Sequence, residues 1–171
     1  MSRKKQPIRE KKHRLPREYY RGELLVAITA RIVDHRPAFV TAKIVESCVR
    51  ILEEAASAQH CAVPIYCFMP DHLHLMIEGL RPTSDIWRAM VLFKQRTGFS
   101  FSKNKRGFRW QNNFYDHITR SGEDWRVQVR YIANNPVRGG LVEQWDEYPF
   151  MGSIGYDLYA IIEGAAQIKI R

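Results

Sequence analysis

The sequence has no apolar run near the roughly 20 residues of a membrane span, and no apolar h-region follows its basic start. Neither a membrane association nor a secretory signal is expected. Cysteine is scarce: Cys48, Cys61 and Cys67 show no metal-ligand spacing and each lies in an apolar periodic segment. That excludes a disulfide framework and points to buried free thiols in a reducing, cytoplasmic setting. Internal repeats and low-complexity tracts are also missing. The most telling absence is of acid. Residues 88–110 hold seven Lys or Arg and not one Asp or Glu.

What is present fits one globular domain. The 171 residues are 45% hydrophobic, enough for a sizeable core. The net charge of +9 is unevenly spread: residues 1–18 carry eight Lys or Arg against Glu10 and Glu18, and the balance turns acidic from 141 onward. Two basic blocks suggest a polyanion, with nucleic acid first. In the second block Phe99, Phe101, Phe108 and Trp110 interleave with the cations, a mix that suits phosphate contacts beside base stacking.

Residues 1–18 have no hydrophobic period and read as a flexible basic arm, 19–155 as the domain, and 156–171 as a C-terminal tail. Leu24 to Ile32 alternates as a strand. Pro37 opens an expected helix that runs to about Ala56, with Val40, Ile44, Val45, Cys48, Ile51, Leu52 and Ala55 at helical spacing. Two strands follow, Ala62 to Met69 and His72 to Ile77, joined by a turn at Met69-Pro70-Asp71. Ser84 is the expected cap of a helix to about Thr97, with Ile86, Met90 and Phe93 as its stripe. Gly98 to Asn113 reads as a mobile loop or hairpin and Phe114 to Thr119 as a short strand. Ser121 with Asp124 signals the start of a helix to Asn134, which buries Trp125, Val129 and Ile132 and which Pro136 stops.

Two stretches carry chemistry. In Pro70-Asp71-His72-Leu73-His74-Leu75-Met76-Ile77, strand alternation puts His72 and His74 on one face, about 7 Å apart at the backbone, and Leu73, Leu75 and Ile77 on the other. Two imidazoles converging on one point are half of a metal site. Taken alone, the pair reads equally well as two surface histidines. In the downstream helix Tyr131 lies off the apolar stripe, with Asn135 one turn later. Taken alone, these two read more readily as a core-edge tyrosine and a helix cap. Together the four residues make chemical sense. His72, His74 and Asn135 could hold a divalent ion with positions open for a phosphate. Tyr131 could then attack phosphorus, once its phenol, of ordinary pKa about 10, is activated. The resulting phosphotyrosine keeps most of the phosphodiester's energy, so a second strand could be joined without ATP.

His72-Leu73-His74 after Phe68-Met69-Pro70-Asp71, with Tyr131-Ile132-Ala133-Asn134-Asn135-Pro136-Val137-Arg138-Gly139-Gly140-Leu141-Val142 downstream, resembles the His-hydrophobic-His single-tyrosine transposases. The likeness is strongest to the branch associated with repetitive extragenic palindromes. The run Trp110-Gln111-Asn112-Asn113-Phe114-Tyr115-Asp116-His117-Ile118-Thr119-Arg120 also resembles that branch, and the resemblance covers roughly residues 20–155.

The resemblance implies a compact α+β domain with an antiparallel sheet and helices packed on it, ferredoxin-like or RRM-like. It implies Mg2+ or Mn2+, a partner of single-stranded DNA beside a hairpin, and a 5′-phosphotyrosine intermediate. It leaves a homodimer open. Tyr131 carries over as nucleophile and His72 and His74 as metal ligands. The better-known branch has a glutamine where Asn135 stands, so Asp116 and His117 stay open as alternatives for the third ligand. Lys94, Arg96, Lys103, Lys105, Arg106, Arg109 and Arg138 are the expected DNA contacts. Three rivals remain: a non-catalytic nucleic-acid-binding domain of the same fold, a domesticated inactive transposase, and, more weakly, a zinc hydrolase.

Overall fold

The computed structural model describes residues 16–119 and 123–164. The expected basic arm, up to residue 15, and Ser121 lie outside them. After a 3-10 turn at Arg17–Tyr20 come strand β1 (Leu25–Ile32), helix α1 (Ala42–Ser57), strands β2 (Cys61–Met69) and β3 (His72–Gly79), helix α2 (Ile86–Lys103) and strand β4 (Trp110–Ile118). Helix α3 (Trp125–Ala133), the single turn α4 (Asn135–Arg138), strand β5 (Met151–Ile154) and helix α5 (Leu158–Ile162) complete the chain.

The five strands form one sheet in the order β4-β1-β3-β2-β5, with every neighbouring pair antiparallel. The first four strands and two helices follow the ferredoxin-like plan, as expected, and β5 extends it beside β2. Alternation along the strands sorts the sheet into two faces. Val26, Ile28, Ala30, Ile32, Phe68, Leu73, Leu75 and Ile77 point to one face, where Ile44, Val45, Cys48 and Leu52 of α1 and Ile86, Met90 and Phe93 of α2 close the main core. Burying each of the larger side chains contributes about 1.5–3 kcal/mol.

The other face is not left to solvent. Leu25, Ala27, Ile65, Cys67, Met69 and Met76 pack there against Trp125, Val129 and Ile132 of α3 and Leu158 and Ile161 of α5. Helix α5 falls within the expected tail, so this part of the tail is packed onto the sheet. The cysteines are free and buried, as read from the sequence. Among the described residues no helix is long and apolar enough to cross a membrane.

Several local expectations need correction. Pro37 does not open α1. Residues 37–40 lie outside any helix or strand; Phe39 enters the core and donates its N–H to the Pro70 carbonyl at 3.0 Å, and Val40 is exposed. Helix α2 is capped by Asp85, whose carboxylate accepts the Arg88 N–H at 2.8 Å, and not by Ser84. The Ser84 hydroxyl instead donates to the His60 carbonyl at 2.7 Å and pins the preceding loop. The same helix runs six residues past Thr97, through Gly98, because Phe101 continues its buried stripe; the expected loop there is short. Strand β4 accordingly begins at Trp110 and not at Phe114. Asp124 caps α3 through the Arg126 N–H. Pro136 does not end the helical path but sits at the start of α4, where its missing N–H costs nothing.

Glu78 sits among the apolar residues of the second face, beside the Tyr156 hydroxyl that donates to it. Burial raises its pKa, with the Tyr156 bond opposing and the charge of Glu23 adding. A carboxyl raised in the folded state contributes stability below its unfolded pKa and loses it as pH rises through the folded value. Glu78→Gln keeps an acceptor for Tyr156 and removes the charge. Thermal melts should therefore show a higher Tm than wild type at pH 7, with the difference shrinking towards pH 4. A lower Tm at pH 7 would contradict the burial penalty.

Candidate active site

Strand β3 lies at the centre of the sheet, so the face of each of its side chains is fixed by neighbours on both sides. His72 pairs in register with Arg31 and Met69, and His74 with Thr29 and Cys67. The two imidazoles share the face carrying α3 and α5, and their Nε2 atoms stand 3.0 Å apart. Each ring is held from behind. The Asp71 carboxylate accepts from His72 Nδ1 at 2.5 Å, and the Thr29 hydroxyl meets His74 Nδ1 at 2.8 Å.

The carboxylate partner fixes the tautomer of His72 and the hydroxyl leaves that of His74 open. An ionised carboxylate only accepts, so His72 is protonated on Nδ1 and turns a lone pair at Nε2 towards His74. A hydroxyl both donates and accepts. Thr29 can therefore donate to His74 while that ring's Nε2–H faces His72, or accept from Nδ1–H and free the second Nε2 lone pair. Burial pushes His74 down to about 4, helped by the charges of His72, Arg31 and Arg138. Burial also lowers His72, against the opposing pull of Asp71. Both rings are neutral at pH 7, the state in which imidazole ligates.

Two ligand bonds of about 2.1 Å at a right angle put their donor atoms about 3.0 Å apart. The spacing of the imidazoles matches that figure, and ring nitrogens backed by a carboxylate and a hydroxyl are the usual support for a metal ligand. Among the described residues no group of three or more His, Cys, Asp or Glu could hold a metal ion. Further donors must come from an amide, water or a substrate phosphate. Asp116 is not one of them. It pairs with Ile28, which points to the opposite face, and its carboxylate accepts from the Tyr20 hydroxyl at 2.8 Å. His117 shares the face of the pair but lies two strands away beside Ala27, where its Nε2 meets Glu123 at 3.0 Å. Asn135 remains. Its amide nitrogen donates to the Ile132 carbonyl at 3.2 Å, which leaves the amide oxygen to ligate.

Tyr131 is 49% exposed on α3, off the stripe that buries Val129 and Ile132. Arg138, one helical turn past Asn134, folds back over it. The guanidinium carbon is 4.3 Å from the ring centroid, and one guanidinium nitrogen donates to the phenol oxygen at 3.1 Å. The Met69 methyl packs close beside Gly139, just past α4. Met69 shares a face with its register partner His72, so α4 lies at the end of the sheet that carries the histidines. The charge of Arg138 is also felt by His74.

The other expected DNA contacts stand in several settings. The Lys94 ammonium donates to the Gln111 and Asn112 carbonyls at 2.6 and 3.2 Å, and Arg96 pairs with Glu54 of α1 at 3.3 Å. Lys103, Lys105 and Arg109 are exposed around the end of α2, and Arg106 lines a cleft between α1 and α2.

Sequence reasoning passed over Thr29, Asp71 and His35. His35 reaches the second Asp71 oxygen at 2.7 Å from a turn in which Asp34 and His35 both adopt left-handed backbone, at φ 58° and 51°. Burial works against it, but the bonds from His72 and His35 hold Asp71 below the usual carboxylate range. A polar residue inside the apolar run from Leu25 to Ala30 of β1 is the available signal for Thr29; nothing local marks His35.

Comparison with known proteins decides the family. The model for IS200-like transposases matches residues 26–135, a span holding both histidines, Tyr131 and Asn135. This chain belongs to the IS200-like transposase family. Over 85 residues the chain is 36% identical to a REP-associated tyrosine transposase of Escherichia coli K12, covering 48% of each. Over 97 residues it is 31% identical to a Haemophilus influenzae protein provisionally given the same name, covering 49% of this chain and 54% of that one. The chain spans about half the length of the curated relatives it matches. Its fold is similar to that of a REP-associated tyrosine transposase solved bound to a REP hairpin, with a TM-score of 0.66, 21% identity and 81% of each chain covered.

His74→Ala should leave the fold standing and lower Mn2+ affinity sharply, as read by titration calorimetry. Asp71→Asn, which frees His72 to turn, should lower that affinity by about 10–100-fold. Wild-type affinity in His74→Ala would remove the pair from metal binding.

Proposed function

We propose that this transposase cleaves and rejoins single-stranded DNA next to a hairpin through a covalent 5′-phosphotyrosine on Tyr131. The observation that carries this reading is the convergence of the His72 and His74 Nε2 atoms at 3.0 Å on the face that also carries the Tyr131 helix. The names of the relatives, and the hairpin bound to the structural neighbour, agree with it.

His72, His74 and the Asn135 amide oxygen would hold Mg2+ or Mn2+. Such an ion, when bound, polarises the scissile phosphate and offsets its growing charge. Tyr131 supplies the nucleophile. Its oxygen gives up its proton to solvent and forms a bond to phosphorus as the bond from phosphorus to the 3′ oxygen breaks, and that oxygen takes a proton from solvent to leave as a 3′-hydroxyl. Arg138, already bonded to that phenol oxygen, holds it in place for the attack. After transfer the same guanidinium lies beside the new phosphodiester. Rejoining is the reverse, with a 3′-hydroxyl attacking the phosphotyrosine and Tyr131 leaving.

Tyr115 is the internal rival. It is 67% exposed, on the His74 face, in register with Thr29 of β1 and thus two strands from His74. Four residues after it stands Thr119, where Tyr131 has the Asn135 amide. Wild-type protein with Mn2+ and an end-labelled hairpin carrying a single-stranded flank should give an adduct on the 5′-phosphate side that survives denaturing gels. Mass spectrometry should place it on the Tyr131 peptide. Tyr131→Phe removes one oxygen and should reduce cleavage to background while DNA binding persists. An adduct on Tyr115, or wild-type cleavage by Tyr131→Phe, would overturn the assignment.

A further inference from the structure

On the α1/α2 side of the sheet, an open groove of about 790 Å³ runs between α2 and the edge strand β4. That volume is in the range of ligand sites, about 300–1,000 Å³. Four aromatic rings line it. Trp110 and Phe114 are buried, whereas Trp87, in the first turn of α2, and Phe108, in the loop before β4, are half-buried. The rim is polar, with Gln95, Asn112 and Arg109 exposed, and no carboxylate lines the groove at all.

We propose that this groove binds unpaired nucleotides of single-stranded DNA, with bases against its aromatic wall and a phosphate at Arg109. The proposal rests on the cleavage reading above and gives that reading a place for the single strand. Every base has a π-face, so an aromatic wall accepts any sequence. A wall free of carboxylates and edged with a cation suits a polyanion. The amides of Gln95 and Asn112 can hydrogen-bond base edges from the rim.

The competing occupant, a peptide strand added to the β4 edge, is disfavoured by what already covers that edge. The Lys94 ammonium sits on the Gln111 and Asn112 carbonyls, which an added strand would need.

The groove also leads to the candidate site. Phe114 faces the groove, and the next residue, Tyr115, faces the other way. Tyr115, Thr29 and His74 form one row across β4, β1 and β3. Two strand spacings, about 9.6 Å, separate the β4 and β3 members of that row. A strand seated in the groove and passing over the β4 edge thus arrives at the histidines.

The test measures binding by fluorescence anisotropy in EDTA on a Tyr131→Phe background, so that no cleavage intervenes. The probes are a blunt hairpin, the same hairpin with an unpaired eight-nucleotide tail, and an eight-nucleotide oligothymidylate. Arg109→Glu places a carboxylate at the rim, and Phe108→Leu removes a stacking ring. Each should weaken the tailed hairpin and the oligothymidylate by about tenfold or more and leave the blunt hairpin unchanged. Arg109 is exposed, so that variant reads the groove even if Phe108→Leu proves unstable. Equal losses on blunt and tailed hairpins would mean contact with duplex phosphates and would overturn the proposal, as would no loss on any probe. Absence of a Tyr131 adduct with wild-type protein would strike the cleavage reading alone, since this measurement needs neither metal nor reaction.

Discussion

A strand at the middle of a sheet must bury both of its faces, and β3 meets that demand with two different chemistries. Leu73, Leu75 and Ile77 go into the main core without remainder. His72 and His74 go to the other face, where burial alone makes their charged forms costly. The rest of the candidate site follows from that placement. Imidazoles that cannot readily charge are available as ligands, and each needs a polar partner for its second nitrogen. Thr29 from β1 and Asp71 from the turn supply those partners.

The strands that set this up are visible in the sequence because alternation is a local property. Met69-Pro70-Asp71 reads as a turn, the apolar runs on either side read as strands, and the shared face of the histidines follows by counting. The off-stripe position of Tyr131 is legible in the same way from Trp125, Val129 and Ile132. What escapes is whatever depends on partners distant in sequence. Phe39 leaves a helical pattern because the Pro70 carbonyl and a pocket in the core await it. Gly98 stays helical because Phe101 beyond it has a buried seat beside Phe39 and Trp110. Asp116 and His117 look equivalent in the sequence, and only the register of β4 against β1 puts one of them on the wrong face.

The second layer of the molecule holds the tyrosine helix. Helix α3 rests on Ile65, Cys67 and Met76 through its apolar stripe, and the position of Tyr131 is then set by rotation about the helix axis. Pro136 begins a new turn where a helix end is expected, and that turn returns Arg138 onto the phenol. The phenol and the guanidinium belong to one short piece of chain, whereas the imidazoles belong to the sheet. The geometry between them therefore depends on the packing of α3 against β2, a contact made of ordinary apolar side chains.

The turn that carries Asp34 and His35 shows what such a site asks of a fold. Both residues adopt a backbone conformation that glycine would enter freely. Replacing either with glycine would relax the chain, and a survey of stabilising substitutions would score the two positions alike. They are not alike. Asp34 makes none of the site's contacts, so relief there is unopposed. His35 holds the outer oxygen of the carboxylate that orients His72, so relief there loosens the site. Adjacent residues under the same strain thus divide into one that can be softened freely and one where thermal robustness and the order of the candidate site pull in opposite directions.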